Sequence, residues 1–380
     1  MTRIRPIVVK IGGSILDSSR GFAVAAANIK DVFFEREYRP IVVVSAMRGV
    51  TDLLLEALRG RREALDDVEE KHISLAVDLG SPSLRKSLEG EMRVLRKLLS
   101  SGGGLPSPQL KDTVLSFGER LSRIAMEHYL RYAGLRSHGF DARSLIVTNG
   151  VYGDATILAD PTRERARVLA SYASRGVVPV IEGFVGSSPE GSVTTLGRGG
   201  SDYTATMLAR LLGIERVFLV TSVDGVYSID PGISEKPVLV PRLSVEEAIA
   251  ASAYRVKGFN KKTFMPLRSS TLLVKIGSWR KFGTEVYDRG AGCEAGCGKP
   301  KIVAFLEKEA GLLVGLIGWV DNALVVKRLL DSIHRGGFKV RSLFYSSSSP
   351  VTSALIPGVS ERREAARLLR VLHDELILQP

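Results

Sequence analysis

An arginine, several glycines and a carboxylate lie close together in TTLGRGGSDYTA, residues 194–205. Gly199 and Gly200 can expose backbone N–H groups because glycine has no Cβ atom. Arg198 carries a planar guanidinium that can bind a carboxylate through two hydrogen bonds, and Asp202 stands near the start of a helix-like run. The combination predicts a site for an anionic ligand. The structural alternatives are a surface ion pair for Arg198 and a helix N-cap for Asp202.

A second glycine turn follows the first apolar segment, in VVKIGGS. Lys10 stands at the end of a predicted strand, and Gly12 and Gly13 form the turn into a helix. Backbone N–H groups in such a turn can approach an anion closely, and a helix N-terminus favours negative charge. The spacing differs from the GxxxxGK[ST] phosphate loop. Phosphate binding and close strand-to-helix packing are the two interpretations of this turn.

A third candidate segment is VFLVTSVDGVYSIDP, residues 217–231, in which a buried strand runs into a polar turn. Open α/β sheets bind ligands beyond the carboxyl ends of their strands, which is where this turn would lie. Tyr227 is placed to flank a purine, or else to cover the core as a turn aromatic.

Alternating strand and helix patterns must position these turns, which indicates an α/β fold. The apolar segments IVVV, VVPVI and RVFLVTS are continuous, as in parallel strands buried on both faces. We predict helices over Phe22–Glu37 and Asp112–Ala133, and helical composition over residues 51–99. Ser244, followed by Glu247 three residues later, predicts a capping box that opens a helix to Ala253.

The stretch DRGAGCEAGCGKPK is glycine-rich and polar, as in a linker. It holds the two cysteines, Cys293 and Cys297, which are too few for a disulfide framework and have no partners at zinc-site spacing. They are either a plain loop feature or a short disulfide bridge. Beyond the linker the pattern predicts a compact βαββα unit, with helices over 322–336 and 361–376.

Length and composition limit the class of protein. The 380 residues are 44% hydrophobic and 25% charged, as in a globular chain of two or three domains. No apolar run reaches the roughly 20 residues that span a bilayer, and the N-terminal segment has no cleavage-site pattern, so we expect a cytoplasmic protein. The net charge of +12 is spread along the chain without an RNA-binding signature. We therefore expect neither nucleic acid nor membrane as a partner.

Six segments together resemble the aspartate kinases of the amino-acid kinase family. They are VVKIGGSI, VVVSAMRGVTDLLLEA, LSFGERLSRIAMEHYL, VVPVIEGFVGSS, TTLGRGGSDYTA and LVTSVDGVYSIDP, in this order along the chain. The resemblance implies a catalytic domain over 1–287, a three-layer sandwich around a mainly parallel sheet with a helical excursion at about 52–135. It further implies a linker over 288–300 and one ferredoxin-like ACT domain over 301–380.

The resemblance also implies a reaction, the ATP-dependent phosphorylation of the side-chain carboxylate of L-aspartate to 4-phospho-L-aspartate. This is the first step toward lysine, threonine and methionine, and Mg²⁺ would be bound through the nucleotide phosphates rather than at a protein metal site. In this comparison Lys10 neutralises the transferring phosphoryl group, and Asp202 holds the catalytic lysines in place. The implied substrate-binding residues are Ser45, Thr51, Glu119 for the ammonium group, Arg198 for a carboxylate, Gly199, Gly200 and Ser201. The implied ATP-binding residues are Lys10, Gly12, Gly13, Thr221, Ser222, Gly225, Tyr227 and Lys257.

Three positions depart from the family pattern. Ser222 stands where the family usually has an acidic residue, and Gly232 stands where it has an arginine. RVKGFNK replaces the usual GAKVLHP, with Lys257 retained if Pro266 and Arg268 are aligned to the segment that follows. These departures affect the expected nucleotide site more than the expected aspartate site.

The family usually carries two ACT domains, and this chain has room for one. We expect a homodimer or higher homo-oligomer assembled through it, and leave feedback inhibition by lysine or threonine open. Two alternatives remain, an amino-acid kinase for a different acidic substrate and a non-catalytic ACT-bearing sensor. Glu119 and Arg198 argue against the first. Lys10, Asp202 and Lys257 argue against the second.

Overall fold

The computed structural model describes residues 5–100, 106–256, 258–288, 299–320, 322–346, 348–359 and 361–379. The chain forms two compact units, Met1–Ser222 and Val223–Pro380. Lys257, Cys293, Cys297 and most of the predicted linker lie outside the described residues. The first unit ends well before that linker, so residues 223–287 of the predicted catalytic domain belong to the second compact unit. The domain boundaries drawn from the sequence stay a prediction.

The first unit is built on parallel strands. Its strands are β1 Arg5–Ile11, β2 Tyr38–Val44, β3 Ser137–Phe140, β4 Val178–Glu182, β5 Val185–Ser187, β6 Val193–Thr195 and β7 Arg216–Val220. In the order β3-β4-β2-β1-β7, each strand pairs in parallel with its neighbour. β5 and β6 form a separate antiparallel hairpin. Every residue of β4 is buried, which confirms the predicted parallel sheet covered on both faces.

Helices cover this sheet. They are α1 Ser19–Asn28, α2 Val50–Leu58, α3 Ala64–Asp78, α4 Pro82–Ser100, α5 Pro108–Tyr132, α6 Ala142–Leu145, α7 Ala159–Ser174 and α8 Gly200–Leu212. α5 packs on β2, β3 and β4 with α1 against it, whereas α7 and α8 pack on each other and on β1 and β2. The three-layer α/β arrangement confirms the predicted fold class.

Two helices differ from their predicted bounds. α1 begins earlier than predicted because the Ser18 hydroxyl accepts a hydrogen bond from the Gly21 N–H, and a π-helical turn over Ile29–Phe34 replaces its predicted end. α5 begins earlier because the Ser107 hydroxyl caps it by accepting from the Leu110 N–H at 3.1 Å. In both cases a serine cap, rather than the apolar pattern, determines where the helix starts.

The second unit contains strands and helices of both predicted parts. They are β8 Arg242–Ser244, α9 Val245–Ala253, α10 Lys261–Phe264, β9 Leu273–Gly277, β10 Thr284–Tyr287, β11 Ile302–Lys308, β12 Gly311–Ile317, α11 Asn322–Arg335, β13 Ser342–Tyr345, β14 Val351–Ile356 and α12 Arg362–His373. β10 pairs in parallel with β8 and antiparallel with β9. The predicted capping box of α9 is confirmed, because the Ser244 hydroxyl accepts from the Glu247 N–H and the Glu247 carboxylate accepts from the Ser244 N–H.

The C-terminal module, residues 299–379, is an antiparallel sheet in the order β11-β12-β14-β13 with α11 and α12 packed against it. The predicted βαββα succession is wrong by one strand. The module runs ββαββα, because Gly311, at φ +126°, turns the chain between β11 and β12. Leu329, Ile333, Leu368 and Leu372 lie in its core. This small antiparallel α+β unit agrees with the predicted ACT-like domain.

Within the described ranges, no helix combines the length and apolar character that crossing a bilayer requires.

Candidate active site

Predicted site residues follow the carboxyl ends of neighbouring strands. Lys10 is the penultimate residue of β1, and Ser45 comes directly after β2. The Ser45 N–H donates to the Ile11 carbonyl at 3.2 Å, and the Gly12 N–H donates to the Val220 carbonyl at the end of β7, also at 3.2 Å. Because the strands are parallel, these ends meet at one edge of the sheet, where α/β proteins bind ligands.

Lys10 and Asp202 form an ion pair at this edge. The Lys10 Nζ lies 2.7 Å from the Asp202 Oδ1, and the two side chains are 13% and 15% exposed. Asp202 lies in the first turn of α8, whose N-cap is Gly199 at φ +71°. The alternative in which Asp202 itself caps the helix is therefore wrong. A carboxylate in the first turn is also favoured by the helix dipole.

Glycine allows the turn after β1 to lie against the turn after β2. A Cβ atom on Gly13 would stand 2.7 Å from the Ala46 carbonyl oxygen, and one on Gly118 of α5 would stand 2.9 Å from the Ala46 Cβ. Real Cβ atoms do not approach so closely, so larger residues would push these segments apart. The two glycines thereby bring α5 and its Glu119 next to the strand ends.

Glu119 is a buried carboxyl group with an incomplete set of partners, and its side chain is 4% exposed. Its pKa is raised to about 8, chiefly by burial. Hydrogen bonds from the Ala46 and Glu119 N–H groups oppose this shift, the charge of Glu182 adds to it, and the charge of Lys10 opposes it. Within the part of the chain that the structure describes, the Glu119 Oε2 has no hydrogen-bond partner. A buried carboxylate oxygen left in this state suits a cationic group of a ligand.

Glu182, at the carboxyl end of β4, is a buried charged residue near the site that the sequence patterns did not predict. It is 3% exposed and accepts hydrogen bonds from the Arg123 Nε at 2.6 Å and the Ala142 N–H at 2.7 Å. Burial raises the pKa of Glu182, whereas the Arg123 charge lowers it. Its negative charge in turn helps to raise the pKa of Glu119. A carboxylate that ends the apolar strand VPVIE was the signal that could have identified it.

The sequence patterns also did not predict Asp112 on α5. Its side chain binds the strand that leads into residues 197–200, called here the GRGG turn. It is 1% exposed. Its Oδ2 accepts from the Thr195 N–H at 2.7 Å and the Gly153 N–H at 2.8 Å, and its Oδ1 accepts from the Thr195 hydroxyl at 2.9 Å. Thr195 ends β6, two residues before Gly197. No local signal predicts this contact, because 83 residues separate the partners.

The other residues predicted for the substrate lie in the same unit. Ser201 is buried against Gly183, on which a Cβ atom would stand 2.5 Å from the Ser201 Cβ. Arg198 is exposed in the turn before α8, Thr51 is half-buried on α2, and Gly200 is buried at the start of α8. The first unit therefore brings Lys10, Asp202 and Glu119 to one sheet edge.

The residues predicted for the nucleotide are divided between the two units. Thr221, half-buried, and Ser222, exposed, close the first unit, whereas Gly225 and Tyr227 lie in the second. A Cβ atom on Gly225 would stand 2.6 Å from the Thr284 Oγ1, and its φ is +152°. Gly232 donates its N–H to the Asp230 Oδ1 at 2.8 Å. Lys257 is outside the described residues.

No three His, Cys, Asp or Glu side chains of the described residues are grouped as they would be around a metal ion.

The sequence pattern of the amino acid kinase family matches residues 5–278. The chain belongs to the amino acid kinase family. One relative in this family, the lysine-sensitive aspartokinase 3 of Escherichia coli (strain K12), is 30% identical over 285 residues, which is 72% of this chain and 61% of the relative. The chain spans only 50% to 61% of the length of the first curated relatives that it matches.

Two solved aspartate kinase structures share the fold. The structure of E. coli aspartokinase III in complex with aspartate and ADP has a TM-score of 0.73 and 24% identity, over 98% of this chain and 84% of that one. The aspartate kinase of Clostridium acetobutylicum also has a TM-score of 0.73, with 16% identity, over 96% of this chain and 99% of that one. At these identities the likeness extends to the fold alone.

Proposed function

We propose that this protein transfers the γ-phosphoryl group of ATP to the side-chain carboxylate of L-aspartate, giving 4-phospho-L-aspartate and ADP. The single observation on which the proposal depends is the buried Glu119 carboxyl group, whose Oε2 has no hydrogen-bond partner among the described residues. The α-ammonium group of an amino acid supplies the missing cation. The names of two relatives, the lysine-sensitive aspartokinase 3 of Escherichia coli and the aspartokinase of Chlamydia pneumoniae, support the same substrate.

The aspartate would lie between Glu119 and the GRGG turn. Arg198 would clamp its α-carboxylate through two charge-assisted hydrogen bonds. Gly199 and Ser201 would offer N–H groups at the α8 N-terminus, which favours anions. Gly200, whose N–H donates to the Gly197 carbonyl at 2.9 Å, would let the ligand approach the backbone closely because it has no Cβ atom. Ser45 and Thr51 would line the same pocket.

Phosphoryl transfer in this site needs no general base. The attacking oxygen belongs to a carboxylate that is already ionised at neutral pH. It forms a bond to the γ-phosphorus as the bond to the β,γ-bridging oxygen breaks, and ADP leaves. Lys10 would neutralise charge that develops on the transferring group, and Asp202 would hold the Lys10 ammonium in place. Catalysis would then rest on positioning and electrostatic stabilisation.

ATP would bind through the β1 turn and the segment after β7. The proposed residues are Lys10, Gly12, Gly13, Thr221, Ser222, Gly225, Tyr227 and Lys257. Mg²⁺ would be held by the nucleotide phosphates. Gly232 stands where the family pattern has an arginine near the phosphates, so this segment would bring one cation fewer to them, whereas Ser222 replaces an acidic residue of the pattern.

Hydroxylamine trapping tests the reaction, because hydroxylamine converts an acyl phosphate to a coloured hydroxamate. Purified protein, MgATP and L-aspartate should give hydroxamate and ADP in equal amounts. L-glutamate and N-acetyl-L-glutamate serve as competing substrates. A much higher rate with either would favour a kinase for another acidic substrate. No ADP release with any of the three would favour a non-catalytic amino-acid sensor.

The proposed cellular role follows from the product, since 4-phospho-L-aspartate opens the route to lysine, threonine and methionine. We expect the reaction to take place in the cytoplasm. The proposed organisation remains a catalytic domain over 1–287, a linker over 288–300 and one ACT-like domain over 301–380. Homodimers or higher homo-oligomers would assemble through the ACT-like domain.

A further inference from the structure

A buried hydrogen bond joins the C-terminal module to the segment that bears Gly225 and Tyr227. The Ser228 Oγ and the His373 Nε2 lie 2.7 Å apart. Ser228 is 1% exposed and His373, at the end of α12, is fully buried. Their separation of 145 residues along the chain means that α12 must be folded in place before this contact can form. The proposed phosphoryl transfer does not use either side chain.

Both members of this pair have a second polar neighbour. The Val238 N–H donates to the Ser228 Oγ at 3.0 Å, which leaves the hydroxyl proton and a second lone pair of Ser228 for the contact with the His373 Nε2. The His373 Nδ1 faces the Asp374 Oδ1 at 3.5 Å. Both the hydroxyl and the ring are satisfied in this arrangement, as buried polar groups require.

Backbone and apolar contacts strengthen the same connection. The Val303 N–H of the module donates to the Ser228 carbonyl at 2.7 Å. The next residue, Ile229, is 2% exposed and belongs to the hydrophobic core of the module with Leu369 and Leu372. Two successive residues of the segment are thus held by β11, by α12 and by the module core.

On its other side the segment is held against β10. The Val226 N–H donates to the Thr284 Oγ1 at 2.8 Å, and that hydroxyl donates to the Val240 carbonyl at 2.7 Å. Tyr227 stands between these two sets of contacts and forms a β-bridge with Leu239. A change in the position of α12 would therefore be transmitted to Tyr227 through one residue.

We propose that Ser228 and His373 are positioning residues for the nucleotide, through which the C-terminal module sets the conformation of Gly225 and Tyr227. The proposal rests on the proposed function, because only there do Gly225 and Tyr227 contact ATP. It gives the module a part in nucleotide binding that does not require an effector.

Three variants of the full-length chain test the proposal. Ser228→Ala and His373→Leu remove the hydrogen bond, whereas His373→Gln keeps an amide that can form a hydrogen bond in nearly the place of Nε2. The matched control is Ser332→Ala, which removes a buried serine hydroxyl of the C-terminal module that donates to Glu375.

We expect Ser228→Ala and His373→Leu to raise the KM for ATP about tenfold, as the loss of one buried hydrogen bond would. The KM for aspartate should change less than twofold. His373→Gln should restore most of the ATP value, and Ser332→Ala should lower the melting temperature without this KM change.

Hydrogen exchange without nucleotide gives a second readout that does not depend on the reaction. The Val226, Ser228 and Val240 amides should exchange faster in Ser228→Ala than in the parent or in Ser332→Ala. Lower melting temperatures with unchanged ATP constants and unchanged exchange would overturn the proposal and leave the pair a purely structural contact. If the parent protein fails to bind ATP, the proposed function is wrong. The exchange experiment then still decides whether the pair holds the segment.

Discussion

Asp202 holds the Lys10 ammonium group in an ion pair, which determines where the charge of Lys10 can act. An ammonium group on a flexible side chain would otherwise move over several ångströms. The ion pair is neither exposed nor fully buried, so it retains a partner without the full desolvation cost of a buried pair. A positioned cation of this kind stabilises charge that develops in the transition state without reorganisation.

Lys10→Ala should therefore lower kcat and leave the KM for aspartate nearly unchanged. The expected loss is roughly 10² to 10⁵ in rate, as for other charged groups at phosphoryl-transfer sites. Lys275→Ala is the matched control, because Lys275 also lies on a strand and pairs with a carboxylate, Glu285, at 2.7 Å. Activity of folded Lys10→Ala within tenfold of the parent would remove Lys10 from the mechanism.

The raised pKa of Glu119 makes aspartate binding depend on pH. Its pKa of about 8 means that much of the free protein holds a neutral carboxyl group at pH 7. Binding of an ammonium group requires the ionised form, so the affinity for aspartate should rise as the pH rises toward 8. Glu119→Gln should abolish that rise and increase the KM for aspartate roughly 10- to 100-fold, through loss of a charged hydrogen bond. A pH-independent KM in the parent would contradict this role.

The same group affects stability in a defined direction. Its pKa of about 8 in the folded chain lies above the ordinary glutamate value of 4.5, so between these two values the folded chain holds a proton that the unfolded chain has released. The free energy of unfolding should therefore fall as the pH rises from 4.5 through about 8. Urea denaturation of the parent and of Glu119→Gln across this window measures the difference. An identical pH dependence in the two proteins would mean that Glu119 titrates normally.

The GRGG turn is supported by α5, a helix that is distant from it in the sequence. Asp112 of α5 accepts three hydrogen bonds from Gly153 and Thr195. An asparagine would place an NH₂ group against one of these donors. Asp112→Asn should therefore raise the KM for aspartate and lower the free energy of unfolding by about 1–3 kcal/mol. Thr195→Ser keeps both donors and is the control. Unchanged substrate constants in Asp112→Asn would show that the turn holds its geometry unaided.

Local sequence predicted those elements whose determinants are close together. The parallel strands follow from continuous apolar segments, and the Ser244 and Glu247 capping box from a spacing of three residues. Lys10 and Asp202 were both predicted as candidates from their neighbouring glycines, and the structure pairs them at 2.7 Å. Asp112 and Ser228 could not be predicted in this way, because Asp112 binds Thr195, 83 residues away, and Ser228 binds His373, 145 residues away. The π-helical end of α1 also had no local signal.

The C-terminal module forms polar contacts with α9 in the second unit. Lys301 of the module pairs with the buried Glu247 of α9 at 2.8 Å, and Trp319 donates to the Ser244 hydroxyl and to Glu247. Deleting residues 300–380 would leave Glu247 and Ile229 without these partners. Such a truncation would destabilise the second unit, so point variants are the better test of what the module does in assembly.

The edge of the module sheet is where we expect two copies to meet. β13 pairs with β14 on one side, and its other side has no strand among the described residues. Phe344 and Tyr345 on this strand are 53% and 59% exposed. An unpaired edge with exposed aromatic residues favours pairing with a second chain, and a two-fold axis would let both edges close on each other.

Phe344→Lys combined with Tyr345→Lys should therefore shift the protein toward monomer in light scattering, because charged side chains on an edge strand oppose strand pairing. Leu324→Lys is the control, since Leu324 is 55% exposed on α11 of the same module and its replacement leaves the edge unchanged. We expect the mass of the parent to increase with concentration, and the double variant to lose that increase while keeping its melting profile at low concentration. If the double variant and the parent have the same mass across a hundredfold range of concentration, the chains do not assemble through β13. The module would then act within a single chain, through its contacts with Ser228, Ile229 and Glu247.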